Sequence, residues 1–152
     1  MLASHDQRWV YYEGELLHKE PDSEQDTRAL LWKLEGMKVL PFHEFRTLEH
    51  TAQKGIDMIA DFQEKDFSEK KMFQAVEIEH ILENYSDHDH VPEQTSLIIA
   101  WDSRNREQLT KTELDWKHVW DYGGHSLTVV LLKYVPGIQV ATKSASEQST
   151  PA

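Results

Sequence analysis

Apolar positions in this chain fall into short runs separated by charged stretches, and the period within each run sets the element it predicts. Over residues 21–37, Thr27, Leu30, Leu31 and Leu34 recur at i, i+3, i+4 and i+7, one buried stripe along a helix. Pro21 precedes this helix, Asp22 or Ser23 can cap it, and Gln25 or Asp26 lies three residues on, as in a capping box. Gly36 and Pro41 bracket its expected end. Residues 42–50 alternate moderately and predict a strand, followed by a turn hinged at Gly55. Residues 56–62 (IDMIADF) and 72–81 (MFQAVEIEHI) predict two strands joined by QEKDFSEKK, a charged hairpin tip. Residues 96–102 (SLIIAWD) are nearly continuously apolar, as in a strand buried on both faces. Residues 126–135 (SLTVVLLKYV) predict the last strand, after the Gly123-Gly124 break. The stretch LENYSDHDHVPEQT is polar, with one helical turn expected near Pro92, and residues 105–122 are ambiguous.

The order helix, three strands, loop or short helix, and two strands predicts an α/β domain on a central mixed sheet of four to five strands flanked by helices. This domain spans residues 21–140. Residues 1–20 carry Trp9, Val10, Tyr11, Tyr12, Leu16 and Leu17 without a cap or clear period, and read as an edge strand or a linker. Residues 141–152, closing in KSASEQSTPA, read as a disordered tail. No internal repeat is visible.

Composition narrows the function classes. A chain of 152 residues can bury a core without staples. It contains no cysteine, which excludes disulfides and thiolate zinc sites. No apolar run approaches the ~18 residues of a membrane span. Residues 1–6 hold no apolar signal segment, so the cytoplasm is the default location. The net charge of -11 argues against coating nucleic acid by bulk electrostatics. It does not exclude a nuclease, because bunched carboxylates hold a divalent cation that then changes the local sign.

The candidate chemistry sits on VEIEH. Strand alternation points Glu77 and Glu79 the same way, with Phe73, Ala75 and Ile81 on that side. Two carboxylates among apolar neighbours are costly unless compensated, and a divalent metal is the obvious compensation. The preceding strand should pair antiparallel with this one, so that Asp57 near its start meets the end carrying Glu79. Glu24 shares the helix's inward face and joins the set; its competing reading is a first-turn capping acid suited to the dipole. E-x-E alone is common, and a solvated strand face is the competing reading. His88 and His90 lie two apart and face one way in an extended segment; with Asn84 they form an accessory set for metal, phosphate or proton transfer. The competing reading is surface polarity in an acidic loop. Zinc would need more than these two ligands. His43, His50, His118 and His125 have no partner in the pattern, and Trp32 and Trp101 read as core.

Three pieces, SEQDTRALLWKLEG, GIDMIADF and AVEIEH, resemble the PD-(D/E)XK nucleases, which carry a glutamate on an early helix, a metal-binding Asp on a strand, and E-x-K on the next. The resemblance covers residues 22–102. It implies a restriction-endonuclease-like fold and a phosphodiesterase acting on DNA, with Asp57, Glu77 and Glu79 at Mg²⁺ or Mn²⁺ and Glu24 beside them. Glu79 departs from the motif lysine, which leaves water activation to a second metal, to Glu79 as base, or to a nearby histidine. The run from GIDMIADF to SLIIAWD, including N-x-x-x-H-x-H, is similar to a bacterial subgroup that accompanies GHKL-type ATPase domains. That similarity implies a role in anti-phage defence or repair and an ATPase partner; the lack of a long apolar run predicts no membrane partner. A homodimer is admitted, though no interface is legible. The alternative is a nuclease-fold module that has lost its chemistry and binds nucleic acid or a protein. A zinc hydrolase using the histidine-rich loop is a distant third.

Overall fold

Helix α1 (Glu24–Met37) forms where the stripe places it. The Ser23 hydroxyl accepts the Asp26 backbone N–H at 3.1 Å, and Thr27, Leu30, Leu31 and Leu34 are buried. It ends between Gly36 and Pro41, as expected. Gly36 lies inside the helix, and Lys38 adopts the left-handed cap at φ 62. The computed structural model describes residues 7–51, 56–65, 69–87 and 90–142.

Two strands precede the helix, β1 (Arg8–Tyr12) and β2 (Glu15–Lys19). After it come β3 (Glu44–His50), β4 (Met58–Gln63), β5 (Lys71–Ile81), β6 (Leu97–Asp102), β7 (Thr110–Lys111), β8 (Lys117–Tyr122), β9 (His125–Leu131) and β10 (Ile138–Thr142). The main sheet has seven strands in the order β3-β4-β5-β6-β9-β8-β7. It is mixed: β3, β4 and β5 form an antiparallel meander, β6 and β9 run parallel to β5, and β8 and β7 return antiparallel. It is thus larger than the four to five strands expected, because the ambiguous stretch 105–122 supplies two more.

Residues 8–19 form two strands, of which β2 is an edge strand. Strand β1 is the middle of a second sheet, β10-β1-β2, antiparallel throughout. Ala141 and Thr142, assigned to the tail, are the last residues of β10, and the rest of that tail lies outside the described residues.

The main sheet's two faces are covered differently. Met58, Ala60, Val76, Ile78, Leu97 and Ile99 meet Leu30, Leu31 and Leu34 of α1 in one core. Each fully buried leucine there contributes roughly 1.5–3 kcal/mol. Ile98, Ala100, Val129 and Leu131 form the opposite core with Leu82 and Tyr85. Among the described residues no second α-helix covers that face, as flanking helices on both sides would require. The β5–β6 crossover carries two 3₁₀ helices, Leu82–Asp87 and Pro92–Gln94. A parallel crossover usually carries an α-helix; here the polar composition of this segment gives no buried stripe to support one.

A bulge separates the two ends of β5. The β4–β5 register shifts between Ala60 and Phe62, Phe73 takes φ 53, and the buried Asp61 carboxylate accepts the Phe73 backbone N–H at 2.9 Å. Phe73 is 71% exposed and does not share an inward face with Glu77 and Glu79 as strict alternation predicted. Trp101 is core, whereas Trp32 is about half exposed and packs edge-on against His50. No helix among the described residues is long and apolar enough to cross a membrane.

Leu31→Ala should lower unfolding free energy by roughly 2–5 kcal/mol in urea titrations, through lost burial and a residual cavity. Trp32→Ala, on the exposed side of the same helix, should cost much less.

Candidate metal centre

Alternation along β5 sends Val76 and Ile78 toward α1 and Glu77 and Glu79 to the opposite face, among Tyr85, Ile98 and Ala100. Both glutamates are 1% exposed. An ionised carboxylate so placed is strongly disfavoured unless it is paired. His90 supplies the pairing. Its Nδ1 lies 3.1 Å from Glu77 Oε2, and its Nε2 lies 3.2 Å from Glu79 Oε1. The ring is stacked on Tyr85, with centroids 4.4 Å apart and planes 9° off parallel. Tyr85 is anchored by a hydroxyl–hydroxyl hydrogen bond to Thr95 at 2.8 Å. The Nε2–Glu79 contact is a hydrogen bond; the Nδ1–Glu77 contact is close but poorly aligned, which leaves Glu77 Oε2 buried without a well-directed donor.

Asp57 arrives from the neighbouring strand. The Met58↔Val76 pairing carries it opposite Glu77, two residues from the Glu79 end it was expected to meet. Its Oδ2 accepts the Ile78 backbone N–H at 2.9 Å, and its Oδ1 lies 3.0 Å from Arg28 Nη2. That same Arg28 nitrogen donates to Glu24 Oε1 at 3.0 Å. Glu24 therefore reaches the cluster only through Arg28.

One ligand atom from each of Asp57, Glu77 and His90 lies within 4.8 Å of the others. Two ligands across a small divalent cation sit at most roughly 4.2 Å apart. The three groups would close by about half an ångström around such an ion. The donor set fits: two carboxylates, one of them with an oxygen lacking an aligned donor, and an imidazole whose far nitrogen is held by Glu79. A ring nitrogen bound to an acceptor is the usual way a metal-ligating histidine is fixed in orientation.

The structure thus brings Asp57 and Glu77 together as expected, and substitutes His90 for Glu79 in the innermost set. Glu79 stands behind the imidazole. Asn84 is half-buried in the 3₁₀ helix Leu82–Asp87, and among the described residues no hydrogen bond joins it to these carboxylates. His88 lies outside the described residues. Arg28 and Tyr85 were missed. The signal for Arg28 was its i,i+4 spacing from Glu24 on one helix face; nothing local marked Tyr85.

Burial pushes the Glu77 carboxyl up from 4.5; His90 opposes this, Asp57 adds to it, and the outcome is about 7. Burial alone would lower the His90 value, but its close contacts and charge interactions with Glu77 and Glu79 prevail and push it up to about 10. No protein-family model, curated protein or solved structure matches this chain.

A raised Glu77 pKa means that the folded state holds a proton the unfolded state has lost, so stability falls as pH rises through 4.5 to about 7. The His90 contribution has the same sign: it is complete below 6.5 and fades as pH rises toward about 10. Melting temperatures in EDTA should therefore show a downward slope with pH that flattens, across the lower window, in Glu77→Gln. An unchanged slope in that variant would remove Glu77 as its source.

Proposed function

We propose that this domain is a metal-dependent phosphodiesterase acting on DNA, of the PD-(D/E)XK kind. The observation that carries the proposal is the convergence of Asp57, Glu77 and His90 at one end of the β4–β5 pair. The order of elements supports it: a helix bearing Glu24, a strand led by Asp57, a strand bearing Glu77 and Glu79, and a parallel neighbour. Asp57, Glu77 and His90 would hold Mg²⁺ or Mn²⁺. One nitrogen among oxygens favours Mn²⁺ of the two, since imidazole suits softer ions than Mg²⁺. The bound cation supplies a water of lowered pKa and offsets charge developing on the phosphate. Glu79, in the place of the motif lysine, orients the imidazole, and Arg28 fixes the Asp57 carboxylate and balances its charge. A restriction-endonuclease-like arrangement, a cytoplasmic location, a defence or repair role, a GHKL-type ATPase partner and a homodimer belong to the same proposal.

One observation favours a second reading, a binding module that has kept the fold without the chemistry. The glutamates and His90 close on one another, with side chains 1%, 1% and 5% exposed. Reaching a phosphate would require that closure to open.

Cleavage of supercoiled plasmid and labelled single strands, titrated with Mn²⁺ and Mg²⁺, tests the first reading. Asp57→Ala should keep the fold and lower the rate at least about a hundredfold, the upper end seen for removing a ligand's supporting partner. Cleavage by that variant at the wild-type rate would overturn the assignment. Calorimetry with no metal uptake at millimolar Mn²⁺ would favour the binding module.

A further inference from the structure

A second group of titratable side chains lies on the same face of the sheet, away from the carboxylates. Arg106, Lys111, Thr112 and His118 line a cavity of about 260 Å³, with Glu107 and Asp115. Such a volume holds roughly eight waters, enough for a phosphate group and part of its ester. His118 is 2% exposed, and its Nδ1 has no hydrogen-bond partner. Arg106 Nε is likewise buried and unpartnered. Two buried nitrogens without partners, on two residues that line one cavity, are unusual, because buried polar groups are nearly always satisfied.

The Arg106 guanidinium is otherwise fixed. It lies 3.7 Å over the Tyr134 ring, and its Nη2 donates to the Asp115 carbonyl at 3.0 Å. Among the described residues it makes no ion pair, in a chain of 27 acidic residues against 16 basic ones. Lys111 pairs with His118 across β7 and β8, which puts both on one face, and Lys111 is exposed at the rim. Glu107 and Asp115 are also exposed, so solvent screens their charge more than that of the buried floor. Burial holds the His118 ring toward its neutral form; Arg106 and Lys111 act in the same direction against Asp115.

We infer that this cavity binds a phosphate-type oxyanion, with Arg106 Nε, His118 Nδ1–H and Lys111 Nζ as its donors. Charge-assisted hydrogen bonds of this kind are the strong ones, and guanidinium suits an oxyanion particularly well. Threonine at the wall contributes shape only, since the Thr112 hydroxyl already donates to the Leu114 and Lys117 carbonyls.

The location adds to the inference. Glu77 is level with Ile98, Ile98 with Val129, Val129 with His118, and His118 with Lys111. These residues form one row across the sheet. Three strand spacings separate Glu77 from His118, roughly 14–15 Å. On the phosphodiesterase reading, on which this last step rests, the cavity grips a backbone phosphate remote from the one attacked. The oxyanion site itself stands without that reading.

The test is a metal-free NMR titration with inorganic phosphate at constant ionic strength, against chloride, following the Arg106 Nε–H and His118 ring signals. Both should shift and saturate. Lys111→Glu, on an exposed two-residue strand, should weaken binding about tenfold. A short single-stranded oligonucleotide that shifts the same signals at lower concentration identifies a nucleic-acid backbone as the source; one that does not identifies small phosphates. No saturable shift beyond chloride, or one indifferent to Lys111→Glu, overturns the site. Because no metal is present, that failure is distinct from a failure of metal-dependent cleavage.

Discussion

The contact between His90 and the two glutamates of β5 is the one on which the far face of the sheet depends. Glu77 and Glu79 lie on a strand flanked by β4 and β6, so neither can turn toward a sheet edge to reach water. Their burial demands a cation, and a single imidazole bridging them at 3.1 and 3.2 Å provides one. The neighbours support that bridge: Tyr85 stacks on the ring, and Thr95 holds Tyr85. The register is equally constrained. A slip of one residue between β4 and β5 would send Val76 and Ile78 away from α1 and bring both carboxylates under its leucines.

The same arrangement explains why charged chemistry gathers on one face. Helix α1 covers the other side with Leu30, Leu31 and Leu34. The crossover side is covered by short 3₁₀ turns and aromatic rings, with Tyr85 in edge contact with Trp120 and Tyr122. Loops and rings tolerate titratable neighbours that a leucine stripe would not. In a chain of net charge -11, the Arg106 guanidinium on this face makes no ion pair among the described residues.

Glu79 shapes the cluster through His90 rather than by joining Asp57 and Glu77 directly. It accepts from His90 Nε2 and turns Nδ1 toward Glu77 and Asp57. The result is a carboxylate–imidazole pair beside the Asp57 and Glu77 carboxylates. Arg28, anchored between Glu24 and Asp57, restores positive charge on the opposite side of the cluster. The cost of this compensation is closure: groups that satisfy one another inside the apolar layer are shielded from solvent.

What the sequence determined by itself was local and periodic. The 3.6-residue stripe with Ser23 before it specified α1, and alternation on VEIEH specified that Glu77 and Glu79 share a face. The hairpin between β4 and β5 followed from a short charged tip, so Asp57 could be placed beside Glu77 to within two residues. The missing pieces are all non-local. Strand β1 is central only because β10 pairs with it from the far end of the chain, and no pattern within either strand records that partner. His90 joins the carboxylates because the chain brings it back across 11 residues to Glu79, and Phe73 leaves the inward face because Asp61 captures its N–H at a bulge. Periodicity reports which side of an element is buried; which distant group meets it there is decided by packing and charge compensation, which only the tertiary structure supplies.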